Sequence, residues 1–347
     1  MLDIAKIRSQ FPILKRKING NDLVYFDNGA STQKPLSVIK SIENYYKEEN
    51  SNVHRGVHFL SGLATDKFEQ SREAIKDFIQ AKHSHEIIFT KGTTDSINLV
   101  ANGLRSIFKK GDEIIISELE HHSNIVPWQL CCEYSGATLK VLSVTESGEL
   151  NLSEFDKLLT KHTKLVAISH VSNSLGTINP IEKIIRKSHK VGAQTLIDGA
   201  QAASHISINV QKLNVDYYCF SGHKLYGPTG VGVLYGKEKV LNDLPVYQGG
   251  GEMIKDVGFK KTTYACLPYK FEAGTPNIAG VIALKQAVDF ITNLGLEQIS
   301  KHQNELLKYA TSEILKISGA KIYGTSAKKS SIISFNIVGI HPYDIGV

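Results

Sequence analysis

The run Ser221-Gly222-His223-Lys224-Leu225-Tyr226-Gly227-Pro228-Thr229-Gly230 sets a lysine on a glycine-bounded turn directly after an apolar stretch, Tyr217 to Phe220. An amine forms a Schiff base only while partly neutral, and burial among apolar walls lowers a lysine pKa toward that range. Glycines on both sides let backbone N–H groups come close to an anion. Taken alone, the decapeptide would also suit an ordinary Gly/Pro loop with a solvated lysine. Its neighbours upstream change that balance.

In Thr195-Leu196-Ile197-Asp198-Gly199-Ala200-Gln201 a short apolar strand ends in a carboxylate just before a glycine. Open α/β sheets place ligand groups there, outside the carboxyl ends of their strands. A buried aspartate needs a partner, so either a cation meets Asp198 or the residue caps a solvated helix start. The protonated ring nitrogen of pyridoxal phosphate (PLP) is such a cation, because a carboxylate beside it keeps the ring an electron sink. Together with Lys224, Asp198 makes a cofactor constellation.

Two further turns complete it. Glu86 to Thr90 reads as a strand, Lys91-Gly92-Thr93-Thr94-Asp95 as a turn, and Ser96 to Phe108 as a helix with apolar residues at Ile97, Val100, Ala101, Leu104 and Ile107. Free N–H groups and two hydroxyls at a helix N-terminus favour a phosphate, although Thr93 or Thr94 could equally be a plain N-cap. After the strand Glu113 to Ser117 comes Glu118-Leu119-Glu120-His121-His122-Ser123-Asn124, ahead of a helix beginning near Ile125. A histidine there can lie over an aromatic cofactor and exchange protons. Spacing alone does not choose between His121 and His122.

Several longer motifs carry a family resemblance. Asn52 to His58, Glu120 to Gln129 (EHHSNIVPWQ), Asp198 to Gln201 (DGAQ), Ser221 to Gly230 (SGHKLYGPTG) and Phe271 to Asn277 (FEAGTPN) resemble, in order and in register from Phe11 onward, the PLP-dependent cysteine desulfurases of the SUF iron–sulfur assembly type, a branch of the aminotransferase class V superfamily. The resemblance implies an α/β protein of fold type I. Its large PLP-binding domain is expected over 15–293, with a smaller, incomplete α+β domain over 294–347 and the N-terminal segment 1–14 packed on the latter. It implies that Lys224 holds PLP covalently and moves the substrate Cα proton, that Asp198 pairs with the ring nitrogen, and that Gln201 bonds the ring hydroxyl. His121 stacks on the ring, Thr93, Ser221 and His223 bind the phosphate, and Thr275 reaches the phosphate of a partner subunit in a homodimer. Asn173, in SNSLGT, faces substrate and ring. Thr93 is placed ahead of Thr94, though either hydroxyl could serve.

The composition agrees. The 347 residues carry a formal charge of +6, with 41% hydrophobic and 21% charged content, ordinary values for a globular enzyme. The basic residues fall in doublets and triplets such as Lys15-Arg16-Lys17 and Lys260-Lys261. Solvated faces are therefore expected, with no nucleic-acid patch and no membrane span. Four cysteines (Cys131, Cys132, Cys219, Cys266) without paired metal spacing suit a reducing cytoplasm and read as inert thiols, and no metal site is expected. Strands and helices alternate from Glu86 to Tyr235, with strands at Lys164 to His170 and Thr195 to Asp198 and a helix at Ile181 to Val191, predicting a mostly parallel sheet flanked by helices. Beyond Gly295 the pattern becomes a long helix, Glu297 to Ile317, then a strand, Ser331 to Val338.

In the family, the segment resembling Ile340 to Gly346 leads on to a loop with the nucleophilic cysteine and an arginine for the substrate carboxylate, whereas this sequence stops at Val347. The expectation is a chain truncated before the sulfur-handling half and itself inactive. By family the activity is conversion of L-cysteine to L-alanine, with sulfur passed as an enzyme persulfide to an acceptor protein for iron–sulfur cluster assembly. Selenocysteine lyase action on L-selenocysteine, a non-catalytic PLP-binding fragment, and an aminotransferase or epimerase of the same superfamily are the alternatives.

Overall fold

The computed structural model describes residues 2–346, so the expected stop at Val347 lies outside the described residues. The chain opens with helix α1 (Ile4–Ser9), a small antiparallel pair β1 (Lys17–Ile18) and β2 (Asn21–Asp22), α2 (Leu36–Asn44) and α3 (Phe59–Phe78). Strand and helix then alternate: β3 (Ile87–Thr90), α4 (Thr93–Leu104), β4 (Glu113–Ser117), α5 (Val126–Ser135), β5 (Thr138–Leu142), α6 (Leu152–Leu158), β6 (Thr163–Ser169), α7 (Ile181–Lys190), β7 (Gln194–Asp198), α8 (Val210–Leu213), β8 (Tyr217–Ser221) and β9 (Gly232–Gly236). After α9 (Glu238–Asp243) come a hairpin, β10 (Ile254–Val257) and β11 (Thr262–Tyr264), two long helices, α10 (Ile278–Leu294) and α11 (Leu296–Ile314), the pair β12 (Ala320–Tyr323) and β13 (Ser334–Ile337), and α12 (Pro342–Gly346).

Seven strands form one sheet in the order β3-β9-β8-β7-β6-β4-β5, parallel except that β9 runs antiparallel to both neighbours. The strands are near-continuous apolar runs because both faces are covered. Alternate residues serve opposite cores: Ile115, Val166, Ile168, Ile197, Tyr218 and Phe220 pack on one side, and Ile114, Leu165, Ala167, Leu196, Tyr217 and Cys219 on the other. Helix α7 shows how a surface helix joins in, since Ile181, Ile184, Ile185 and Ser188 are its buried stripe at helical spacing. The result is the fold type I architecture of PLP-dependent enzymes.

Register brings the working ends of the strands to one edge. Ser169 pairs with Asp198, Asp198 with Cys219, Ser221 with Gly232, and Gly232 with Thr90. Two glycines permit this closeness: a Cβ on Gly232 would stand 2.4 Å from Gly92 Cα, and one on Gly199 would stand 2.2 Å from the Tyr218 ring.

One expectation needs correction. Helix α4 begins at Thr93, not Ser96, and ends at Leu104, because Gly92, at φ 155°, ends the extended chain and the Thr93 amide and hydroxyl already meet Ser221. In the N-terminal segment, Phe11 packs on Tyr226 and Phe290, with ring centroids 5.9 and 5.6 Å away.

Candidate active site

Lys224 sits in a short helical turn that β8 runs straight into. The turn closes on itself, with the Leu225 and Gly227 N–H groups both donating to Gly222 O at 2.9 Å and the Gly222 N–H to Val231 O at 2.9 Å. Burial lowers the Lys224 pKa, and the charge of Asp198 opposes that only in part. The ammonium makes no hydrogen bond among the described residues, so the amine is left for a ligand.

Asp198, at the end of β7, is 5% exposed. Its carboxylate accepts one hydrogen bond, from the Ala200 N–H at 2.9 Å. Burial pushes its pKa up, while Ala200, Lys224 and His121 pull it down. A carboxylate so short of donors calls for a cation. The turn is rigid because the Tyr218 ring fills the space under Gly199, and Tyr218 is fixed in turn by its hydroxyl to His170 Nδ1 at 2.9 Å. His170 donates its backbone N–H to Asp198 O at 2.8 Å, and burial lowers its pKa to about 4, so the ring is neutral.

His121 lies on the turn after β4. The Ser123 N–H donates to His121 Nδ1 at 3.2 Å, which puts the proton of the neutral ring on Nε2. Burial first, and Lys224 second, lower its pKa. The structure thus separates the two adjacent histidines, for the charges of Lys224 and Asp198 act on His121.

At the start of α4 it also separates the threonines. Thr93 is 5% exposed and its hydroxyl meets Ser221 Oγ at 2.8 Å, whereas Thr94 is exposed. Two hydroxyls and the open amides of a helix start make an anion cradle. His223 adjoins it with a pKa lowered by burial, Lys224 and Lys34. Gln201 donates from Nε2 to Gly29 O at 2.6 Å, leaving its Oε1 for a ligand. Asn173 and Thr275 are not drawn into this cluster: both are exposed, Asn173 on the loop after β6 and Thr275 after Gly274 at φ 78°.

The sequence reasoning missed the strap from Gly29 to Lys34. Thr32 donates to His223 O from its N–H at 3.0 Å and its hydroxyl at 2.9 Å, and Lys34 Nζ adds a third bond at 3.0 Å. Thr32 Oγ1 also accepts the Tyr226 N–H at 2.9 Å, so the strap clasps the lysine turn from both sides. Burial lowers the Lys34 pKa to about 8, giving a second amine near neutrality. Only the small polar run Gly29-Ala30-Ser31-Thr32 hinted at it.

An amine for a carbonyl, a carboxylate short of a cation, an anion cradle and a flat neutral ring fit PLP in every part. These features define a PLP-dependent enzyme. Residues 24–347 match the family described as Aminotransferase class-V, and the chain belongs to that family as a homologue of the cysteine desulfurases, which are PLP-dependent. It is 49% identical to a probable cysteine desulfurase of Mycolicibacterium paratuberculosis, over 100% of this chain and 51% of that protein. It is 48% identical to one of Halalkalibacterium halodurans, over 99% and 85%. It therefore spans about half the length of the first relative and most of the second. Among solved structures, the apo cysteine desulfurase of Thermococcus onnurineus NA1 superposes with a TM-score of 0.94 at 39% identity, covering 99% of this chain and 85% of that one.

Proposed function

We propose that this chain is a PLP-dependent cysteine desulfurase of the SUF type, acting on L-cysteine to give L-alanine and a persulfide for iron–sulfur cluster assembly. The observation that carries this is the convergence of Lys224, Asp198 and His121 at one sheet edge, in a chain nearly half identical to cysteine desulfurases. When bound, PLP draws electrons from the substrate Cα and so acidifies its proton. Lys224, its pKa lowered by burial, is the base that takes and returns that proton. Asp198 would hold a positive charge at the ring nitrogen, Thr93 and Ser221 would fix the phosphate, and His121 would cover the ring and present its Nε2 proton. Asn173, exposed on the loop after β6, would face substrate.

Sulfur transfer needs a thiolate. Burial pushes the Cys131, Cys132 and Cys219 thiols up, which makes them poor nucleophiles, and Cys266 is exposed just ahead of Pro268. Cys131, Cys132 and Cys219 are therefore not expected to take the substrate sulfur. Exposed Val24, Phe26, Val57 and Phe59, with Thr275 on its turn, support a homodimer in which a second copy covers this surface. Four free thiols suit the cytoplasm.

The test is a titration of the PLP-loaded chain with L-cysteine, L-selenocysteine, L-alanine and L-aspartate, followed in the visible spectrum of the cofactor. A response to L-cysteine and L-selenocysteine at the lowest concentrations is expected. Preference for L-aspartate, with amino exchange to a 2-oxo acid, would overturn the assignment in favour of an aminotransferase.

A further inference from the structure

Glu120 immediately precedes His121 and is 7% exposed. Its carboxyl is the centre of a buried chain of polar groups. Oε1 meets Ser117 Oγ at 2.5 Å and Ser169 Oγ at 3.4 Å, while Oε2 accepts from Asn124 Nδ2 at 2.6 Å. Asn124 Oδ1 accepts from Trp128 Nε1 at 2.8 Å, and the Asn124 backbone N–H donates to His121 O at 2.7 Å. His121 is thus bracketed: Glu120 before it and Asn124 after it are tied to one another, to the ends of β4 and β6 through Ser117 and Ser169, and to the buried ring of Trp128 on α5.

The charges around this carboxyl are few. The side chains it meets, Ser117 on β4, Ser169 on β6 and Asn124 on its own turn, are uncharged; the charged group facing it is Asp198 at the end of β7. Burial, reinforced by Asp198 and opposed by Ser117, Asn124 and Ser169, pushes the Glu120 pKa up to about 7. Two carboxyls in one buried region do not readily both ionise, and Asp198 is the one with cations to face. Glu120, with no cation facing it, therefore holds its proton to higher pH than an exposed carboxyl does.

We propose that Glu120 is a positioning residue: tied to Ser117, Ser169 and Asn124, it pins the Glu118–Asn124 turn to the sheet and holds the His121 ring over the cofactor, and its protonation state tunes that hold. Ionisation sets a negative charge beside Asp198 and makes the Ser117 hydroxyl a donor, while Asn124 Nδ2 donates to the carboxyl in either state and more strongly to the charged one. The proposal rests on the placement of His121 over PLP, and its test separates the two.

Trp128 is the single tryptophan of the chain and is bonded to Asn124, so its fluorescence reports from the edge of this network. In the full chain, with and without PLP, Trp128 emission is expected to follow one titration centred near pH 7. Glu120→Gln, a neutral isostere, should remove that titration and hold emission at its low-pH value. In the PLP-loaded chain the visible circular dichroism of the cofactor should titrate in parallel in the natural sequence and stay flat, at the low-pH value, in Glu120→Gln. Glu120→Ala should retain PLP about tenfold less tightly, the size of effect expected when a buried hydrogen-bond partner is removed. A pH-independent Trp128 emission, or a titration that persists in Glu120→Gln, overturns the role of Glu120. If Trp128 titrates as expected but His121→Ala leaves the cofactor dichroism unchanged, the latch stands and its action through His121 on the cofactor is what is overturned.

Discussion

Strands β7, β8 and β9 and the pair β12 and β13 belong to one chain but are held by different means. The first three are buried at nearly every position, sandwiched between two apolar cores. In β12 and β13 no residue is buried, and the segment around them is tied to the body by polar bonds: Ser330 N–H to Gly176 O, Ile178 N–H to Lys328 O, Thr325 N–H to Ser147 O, and Ser326 Oγ to Glu149 Oε1. Groups whose positions matter to a fraction of an ångström, Asp198 and Lys224, sit where apolar packing is densest. The loop with Asn173, proposed to face substrate, borders the polar attachment. Precision follows burial, and adaptability follows surface hydrogen bonds.

That contrast can be broken or sharpened in five ways, of decreasing effect. Lys224→Ala should abolish covalent attachment of PLP while leaving the fold intact, checked by borohydride reduction and peptide mapping; label on any other lysine would move the site away from the β8 turn. Next comes the buried pair of Arg72 with Glu272, in which both guanidinium NH groups meet the carboxylate at 2.7 and 2.9 Å. Glu272→Leu should cost about 3 kcal/mol in urea unfolding, because Arg72 keeps Glu69 at 2.9 Å but loses two buried bonds and the Phe89 N–H loses its acceptor. Gly199→Ala should cost about 1–3 kcal/mol through collision with Tyr218, and less in a Tyr218→Leu background, as a double-mutant cycle would show.

The fourth test concerns pH. The folded-state pKa of Glu120 is raised from 4.5 to about 7, so the folded chain binds more protons than the unfolded one across that window and stability is lost as pH rises through it. His170, lowered to about 4, acts in the opposite direction between there and 6.5. It does so equally in both proteins. The difference in melting temperature between Glu120→Gln and the natural sequence should therefore climb from pH 5 to pH 8. Smallest of all, Asn336→Ala in β13 should stay within about 0.5 kcal/mol, since its amide makes a 3.4 Å bond to Tyr323 Oη at the surface. A loss as large as that of Glu272→Leu would show the two regions to be one cooperative unit.

What the sequence disclosed follows the same division. Apolar runs ending in Ser117, Asp198 and Ser221 made the sheet readable, because strands buried on both faces leave an unbroken signature. Lys224, Asp198, His121 and Thr93 lay on strand-end turns, whose chemistry is local. The α4 start was placed three residues late because its cue is tertiary: Ser221 reaches Thr93 from β8. The Gly29–Lys34 strap was illegible for the same reason, as its bonds to His223 span about 190 residues of chain. Glu120 was quoted within a motif without a role, since only burial beside Asp198 reveals its protonation.

The reversal of β9 has a further result. A parallel neighbour would require the chain after Lys224 to cross the whole sheet, usually through a helix. Here it returns at once, with Ser221 and Gly232 paired at the mouth of the loop. A loop shut between paired neighbours in mid-sheet has no cheap way to open, so the Leu225 and Gly227 amides should exchange with solvent only when the sheet itself comes apart. A cofactor held at Lys224, as proposed, would then stay tethered as long as the native state lasts, and its escape would depend on chemistry at the amine, with no contribution from breathing of the backbone beneath it.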